Sequence, residues 1–170
     1  EVISSLLSIP MAHQLVGFYT IADGGDGVLK VMRSYQFNAA QQITSVVRSH
    51  DWKRKNQRGG YIWHTTGSGK TMTSFKSAQL IADSGDADKV FFIMDRIELG
   101  IQSLNEYRNF AGGALTEQQR KKTVRGTEDT GELRKALTDK NYDGKLIVTS
   151  IQKMDILCKD KHLTEYELEY

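Results

Sequence analysis

Lys70 and Thr71 close the run Tyr61-Ile62-Trp63-His64-Thr65-Thr66-Gly67-Ser68-Gly69-Lys70-Thr71. A lysine and a hydroxyl residue directly after G-S-G could hold the phosphates of a nucleotide. Glycines let backbone N–H groups crowd around phosphate oxygens, and a following helix adds the positive end of its dipole. Lys70 would reach the β/γ-phosphates, and Thr71 would offer its hydroxyl to Mg²⁺. Thr66, Gly67, Ser68 and Gly69 complete the candidate cradle. The strict P-loop pattern asks for glycine six positions before Lys70, where this chain has His64. The phosphate-facing side of the loop is intact.

Such a loop works only between a strand and a helix. Tyr61-Ile62-Trp63 reads as a short buried strand. Met72, Phe75, Ala78 and Ala82 recur at helical spacing after the loop, to about Asp83, where Ser84-Gly85-Asp86 ends the pattern. Lys89 to Met94 is a continuous apolar run, as expected of a strand buried on both faces. A helix follows with Ile97, Ile101, Leu104 and Phe110. Residues 112–131 are Gly- and Thr-rich and charged, and read as a loop with one short helix begun by Thr116-Glu117-Gln118-Gln119, a capping box. Leu133, Ala136 and Leu137 mark another helix, and Lys145 to Val148 a third strand. Strands alternating with helices predict an α/β fold with a parallel sheet. In such sheets ligands gather at the carboxyl ends of the strands. His64–Thr71, Asp95-Arg96 and Thr149–Gln152 should therefore lie on one edge.

Upstream, Gly17 to Ile21 and Val28 to Met32 flank Asp23-Gly24-Gly25-Asp26-Gly27, which predicts a β-hairpin. The G-G-D-G cluster is a turn rather than a second phosphate loop, because no helix pattern follows it directly. Residues 1–16 have helical spacing cut by Pro10. Ala39, Ala40, Ile43, Val46, Val47 and His50 mark a helix face, and Lys53 to Arg58 is a basic, solvated loop.

The chain has 170 residues, 39% of them hydrophobic, which suits about one domain with an ordinary core. A net charge of +2 neither requires nor excludes a nucleic-acid partner. Cys158 is the single cysteine, so no intramolecular disulfide can form, and in its helical pattern it reads as a small core hydrophobe. That fits a reducing, cytoplasmic setting. No stretch reaches the roughly 20 apolar residues of a membrane span.

Four segments in order carry a resemblance: Arg33-x-Tyr35-Gln36, I-W-H-T-T-G-S-G-K-T, F-I-M-D-R-x-x-L-x-x-Q and I-V-T-S-I-Q-K. From about Gly17 to about Cys158 the chain closely resembles the restriction (motor) subunit of type I restriction-modification enzymes, a superfamily 2 helicase-like DNA translocase. The resemblance implies a P-loop NTPase (RecA-like) parallel sheet with flanking helices, ATP and Mg²⁺ as cofactors, and double-stranded DNA as partner. It also implies association with methyltransferase and specificity subunits. Gln36 would read adenine, supported by Arg33 and Tyr35. Asp95, Arg96, Gln102, Thr149, Ser150 and Gln152 would touch the DNA backbone. The family's acidic D-E-x-H motif has no match, since the chain contains no Asp-Glu pair. The expectation is the front of a first motor lobe, residues 33–170, after a hairpin segment, residues 1–32, that ends a preceding domain. Two other readings stand beside it. In one, Asp95 ends a Walker B strand and the chain is a small, complete P-loop kinase or GTPase. In the other it is a non-enzymatic P-loop assembly module.

Overall fold

The structure is a computed structural model that describes residues 8–51, 59–95, 97–112 and 115–160, with the backbone alone at 97–99. Helix α1 (Ile9–Phe18) carries Pro10 in its first turn, where a missing N–H costs nothing. It leads into the predicted hairpin, β1 (Thr20–Ala22) and β2 (Leu29–Val31), paired antiparallel with Ile21 opposite Lys30. Gly17 and Phe18 belong to the helix, not to the strand. Helix α2 (Ser34–Ser49) follows, then α3 (Lys70–Ser84) directly after the candidate phosphate loop. Gly85 ends α3 at φ 76°, a left-handed position that suits glycine.

A three-stranded parallel sheet forms the second half, in the order β3 (Val90–Met94), β5 (Leu146–Ser150), β4 (Val124–Gly126). Helix α4 (Ile97–Phe110) and then α5 (Glu117–Thr123) connect β3 to β4, and α6 (Thr130–Thr138) connects β4 to β5. Helix α7 (Ile151–Cys158) leaves the end of β5. The architecture is α/β, with helices packed against a parallel sheet as expected. The capping box of α5 forms as read, with Thr116 Oγ1 accepting from Gln119 N at 3.4 Å.

Four expectations need correction. The segment Tyr61–Trp63 forms no strand: Tyr61 is 88% and Trp63 87% exposed, and no described strand lies alongside to pair with it. Of the two apolar runs, Leu146–Ser150 is the buried one at every position, because it is central. Val90–Met94 has β5 on one side only and is half-buried, with Ile93 exposed. Residues 124–126, expected in a loop, pair with Leu146–Val148. Cys158 is exposed, and its neighbour Leu157 takes the buried position. The basic run Lys53–Arg58 and Arg96 lie outside the described residues.

One cluster joins the hairpin, α3 and the sheet. Ile21, Phe75, Ala78, Ala82, Tyr107, Val124, Leu146 and Val148 are buried together. Phe75 stacks edge-on against Tyr107 (5.3 Å) and leans on Phe110 (5.6 Å). Burial raises the Tyr107 hydroxyl pKa far above its usual value, and that hydroxyl donates to Ser74 Oγ at 2.8 Å. Lys76 is buried on the same helix; its ammonium donates to Thr20 O (3.1 Å) and Gln79 Oε1 (3.0 Å), tying the hairpin to α3. Phe75→Ala should cost about 3–5 kcal/mol, the range for emptying a buried aromatic site. Urea denaturation of both proteins measures it, and a loss below about 1 kcal/mol would contradict this packing.

Candidate nucleotide site

The loop is built on two left-handed glycines. Gly67 and Gly69 both sit at φ 76°, where a side chain is strained. Thr65 O accepts three donors from its own loop: Ser68 N (3.3 Å), Ser68 Oγ (2.7 Å) and Lys70 Nζ (3.3 Å). That folds Thr65–Ser68 into a turn and rests the exposed Lys70 ammonium on a backbone carbonyl. Gly69 O accepts from Thr73 N at 3.0 Å, so α3 begins at the loop itself. The first N–H groups of a 15-residue helix thus stand at the end of the glycine turn, an arrangement suited to anions.

Helix α2 holds this loop from outside. Gln36 is buried; its Oε1 accepts from Arg33 N (2.9 Å), and its Nε2 donates to Ser68 O (3.1 Å) and, at the distance limit, to Gly69 O (3.5 Å). Arg33 contributes only its backbone N–H to this cap, since a guanidinium cannot accept a hydrogen bond. Tyr35 Oη donates to the same Ser68 O at 2.9 Å, and its ring meets His64 edge-on at 5.6 Å. His64, standing where the strict pattern has glycine, therefore has a packing partner. A Cβ on Gly69 would lie 2.5 Å from Gln36 Nε2. The backbone angle favours glycine at 69, and any side chain there would push the Gln36 amide off the loop. Tyr35 and Gln36 reach the loop, Arg33 is joined to it only through Gln36, and the Gln36 amide is engaged with loop carbonyls.

Beside the loop lies a cavity of about 540 Å³. Thr66, Gly67, Gly69, Lys70 and Thr71 form one wall. Asp23 and Lys30 of the hairpin, with Glu106, Asn109 and Phe110 of α4, form the other. Reading the sequence missed this second wall; the only signal was the G-G-D-G turn, which by itself reads as a connection. Thr71 lines this cavity, and its hydroxyl would be the protein ligand to a Mg²⁺ held otherwise by nucleotide phosphates and water. Among the described residues there is no cluster of three or more His, Cys, Asp or Glu that could hold a metal without them.

The other candidate residues gather elsewhere. At the carboxyl ends of β3 and β5, Met94 pairs with Ser150, and Gln152 Nε2 donates to Asp95 O at 2.8 Å. Thr149 is buried and shares a hydrogen bond with Thr127 Oγ1 (2.8 Å). Ser150 is buried as the N-cap of α7, accepting from Lys153 N at 3.4 Å. Gln102 points along α4 to Glu106 Oε1 (3.2 Å). Asp95 does not line the loop cavity. Of the three segments expected on one edge, Asp95 and Thr149–Gln152 share it. The glycine loop instead faces the last turn of α4, which runs back from that edge.

A parallel α/β sheet with a G-S-G-K-T loop opening a helix defines a P-loop NTPase-like fold. More narrowly, the chain belongs to the SWI2/SNF2 ATPase family, whose model matches residues 35–169. It is similar to a chain named as the C-terminal part of a type I restriction enzyme endonuclease subunit of Mycoplasma pneumoniae, 38% identical over 130 residues, which are 74% of this chain and 59% of that one. It is also similar to type I restriction enzyme endonuclease subunits of Staphylococcus saprophyticus and Staphylococcus aureus strain COL. Each is 37% identical over 141 residues, 83% of this chain and 13% of theirs. The matched segment thus spans 59% of the first of these relatives and about an eighth of the other two.

Gln36→Ala removes the amide that holds Ser68 O and Gly69 O. It should cost about 1–2 kcal/mol of stability, the scale for a buried hydrogen bond left open. Amide exchange should also quicken at residues 68–70. Unchanged exchange there would show that Tyr35 and the glycine turn hold the loop alone.

Proposed function

We propose that this chain is part of the ATP-dependent DNA-translocating region of a type I restriction enzyme endonuclease subunit. The observation that carries the proposal is the Gly67–Thr71 loop at the N-terminus of α3, inside a chain of the SWI2/SNF2 ATPase family. The loop's N–H groups and the Lys70 ammonium bind the β- and γ-phosphates, and Thr71 helps hold Mg²⁺. When bound, Mg²⁺ neutralises charge developing on the phosphates. Lys70 leaves Thr65 O for the nucleotide, exchanging a neutral acceptor for an anionic one. Gln36 fixes the carbonyl side of the same loop, and to donate to the adenine edge as well as accept from it the amide must release one of those carbonyls.

The edge bearing Asp95 and Gln152 is the candidate DNA-backbone contact. Both are exposed there and joined by one hydrogen bond; Gln152 has the amide donor that a phosphate requires, Asp95 positions it through its backbone carbonyl, and a phosphate contact of this kind carries no sequence information. Thr149 and Ser150 support that edge from beneath. Arg96 and Gln102 belong to the same proposed contact by resemblance. Double-stranded DNA, methyltransferase and specificity subunits are the proposed partners, and the compartment is the cytoplasm. No helix among the described residues is long and apolar enough to cross a membrane. The kinase or GTPase reading needs Asp95 on a metal held by Thr71, and the absence of Asp95 from that cavity's lining favours the motor reading.

Phosphate release by the purified 170-residue chain should stay far below about 1 s⁻¹, an ordinary enzyme rate, with or without DNA. Hydrolysis needs a carboxylate to orient water and a further cation on the γ-phosphate, the latter alone worth about 10³–10⁵ in well-studied NTPases. Turnover at that rate, abolished by Lys70→Ala, would instead establish a complete small enzyme. Mg-ATP binding should be measurable in the same chain and weaken in Lys70→Ala by about 1.5–3 kcal/mol. Titrating Gln36→Ala with ATP and GTP separates its two roles: equal losses mark a loop support, and a loss confined to ATP marks base reading.

A further inference from the structure

The hairpin strand β2 is built the wrong way round for a strand whose inner face is core. Leu29 is 69% and Val31 56% exposed, while Lys30 between them faces inward. Its direction is fixed by pairing: Lys30 lies directly opposite Ile21, and directly opposed residues share a face. Ile21 is buried in the cluster with Phe75 and Tyr107, so Lys30 points the same way. Its ammonium lies 5.8 Å from the centre of the Phe110 ring and lines the cavity that Gly67–Thr71 walls on the other side.

What holds that ammonium is also unusual. Asp23 Oδ2 lies at 2.5 Å and Asp26 Oδ2 at 2.8 Å. The Asp23 side chain is only 7% exposed and is fixed by accepting Gly25 N at 2.8 Å; Asp26 is exposed. Hydrogen bonds first to Asp23 and then to Asp26 push the Lys30 pKa above its usual value, so it stays charged. The turn itself is pinned to the cavity's far wall: Gly24 N donates to Asn109 O (2.9 Å), and Arg120 Nη1 to Gly24 O (3.3 Å). Side chains lining the bare cavity balance in charge, Asp23 and Glu106 against Lys30 and Lys70. A polyphosphate entering it upsets that balance, and Lys30 is the cation within the cavity not already on the loop.

We propose that Lys30 is a second cationic contact for the polyphosphate of the bound nucleotide, held ready on Asp23 and Asp26 by the glycine-rich turn that faces the phosphate loop. This rests on the reading of Gly67–Thr71 as a nucleotide site and extends it to the opposite wall. Asp26, exposed and the outer of the two carboxylates, competes with phosphate for the ammonium. Asp23, buried and backbone-anchored, positions it.

Opposite substitutions separate this role from simple support of the hairpin. With Mg-ATP and Mg-ADP titrated against the purified protein, Lys30→Met should weaken ATP binding about 10- to 40-fold, the lower part of the range for a charged hydrogen bond. Lys30→Arg should stay within about threefold of wild type. Asp26→Asn should tighten ATP binding severalfold by freeing Lys30, and by more than Glu106→Gln, which removes an equal charge from the cavity lining without touching Lys30; an equal gain in both would mark the lost charge alone and overturn the proposal. Thermal melting of each variant checks folding, and if Lys30→Met does not fold, Asp26→Asn decides. Wild-type ATP affinity in Lys30→Met, or weaker binding in folded Asp26→Asn, overturns the proposal. Lys70→Ala is the independent control: if it binds ATP as wild type does, the phosphate-loop reading itself fails, whatever Lys30 does.

Discussion

The close approach of the Gln36 amide to Gly69 is the constraint on which the site depends. A peptide turn with two left-handed glycines is conformationally loose, since glycine loses more freedom on folding than any other residue. Here the carbonyl side of that turn is held by Gln36 and Tyr35, two consecutive residues at the start of α2. On the other side Gly67, Gly69, Lys70 and Thr71 line the cavity, so one face of the loop is held by protein and the other is available to an anion. The latch requires that position 69 carry no side chain, and the helix that follows begins from its carbonyl.

The hairpin and the sheet are joined through α3. Phe75 reaches the sheet cluster, Lys76 reaches the carbonyl of Thr20, and Lys70 stands at the head of the same helix. A displacement of the loop on binding would therefore be transmitted along one rigid element to both halves. The second wall of the cavity has the same origin, because the turn at Asp23–Gly27 is held in place by the last turns of α4.

How much of this was legible in the sequence depends on whether each feature is local. The loop, helix α3 with its glycine stop, the hairpin and the capping box at Thr116 follow from short-range rules of dihedral angle and periodicity, and they stand where those rules put them. Burial of a strand is not local. Val90–Met94 is apolar at every position and Leu146–Ser150 ends in Thr and Ser, yet the second is the core strand because it has a neighbour on each side. Tyr61–Trp63 has a strand's composition without a strand beside it. Val124–Gly126 has one apolar residue and becomes a strand because β5 offers it a ladder. The candidate DNA-contact residues divide for a related reason: Thr149 and Ser150 are drawn inward by the strand end and the helix cap, while Asp95 and Gln152 remain outside. Nothing in the local sequence around Lys30 announces a site; it becomes one through the pairing partner that turns it inward.

The central strand of the described sheet is also the last of the described strands. β3 and β4 make no ladder with each other, and both wait for Leu146–Ser150. During synthesis at about 5–20 residues per second, β3 would emerge roughly 3–10 s before its only described partner. In that interval Val-Phe-Phe-Ile-Met is an apolar segment with nothing to pair with, the condition in which nascent chains associate. The order of strands thus leaves β3 unpaired for that interval, and the cluster that buries Ile21 of the hairpin and Phe75 of α3 cannot close until Leu146 and Val148 arrive.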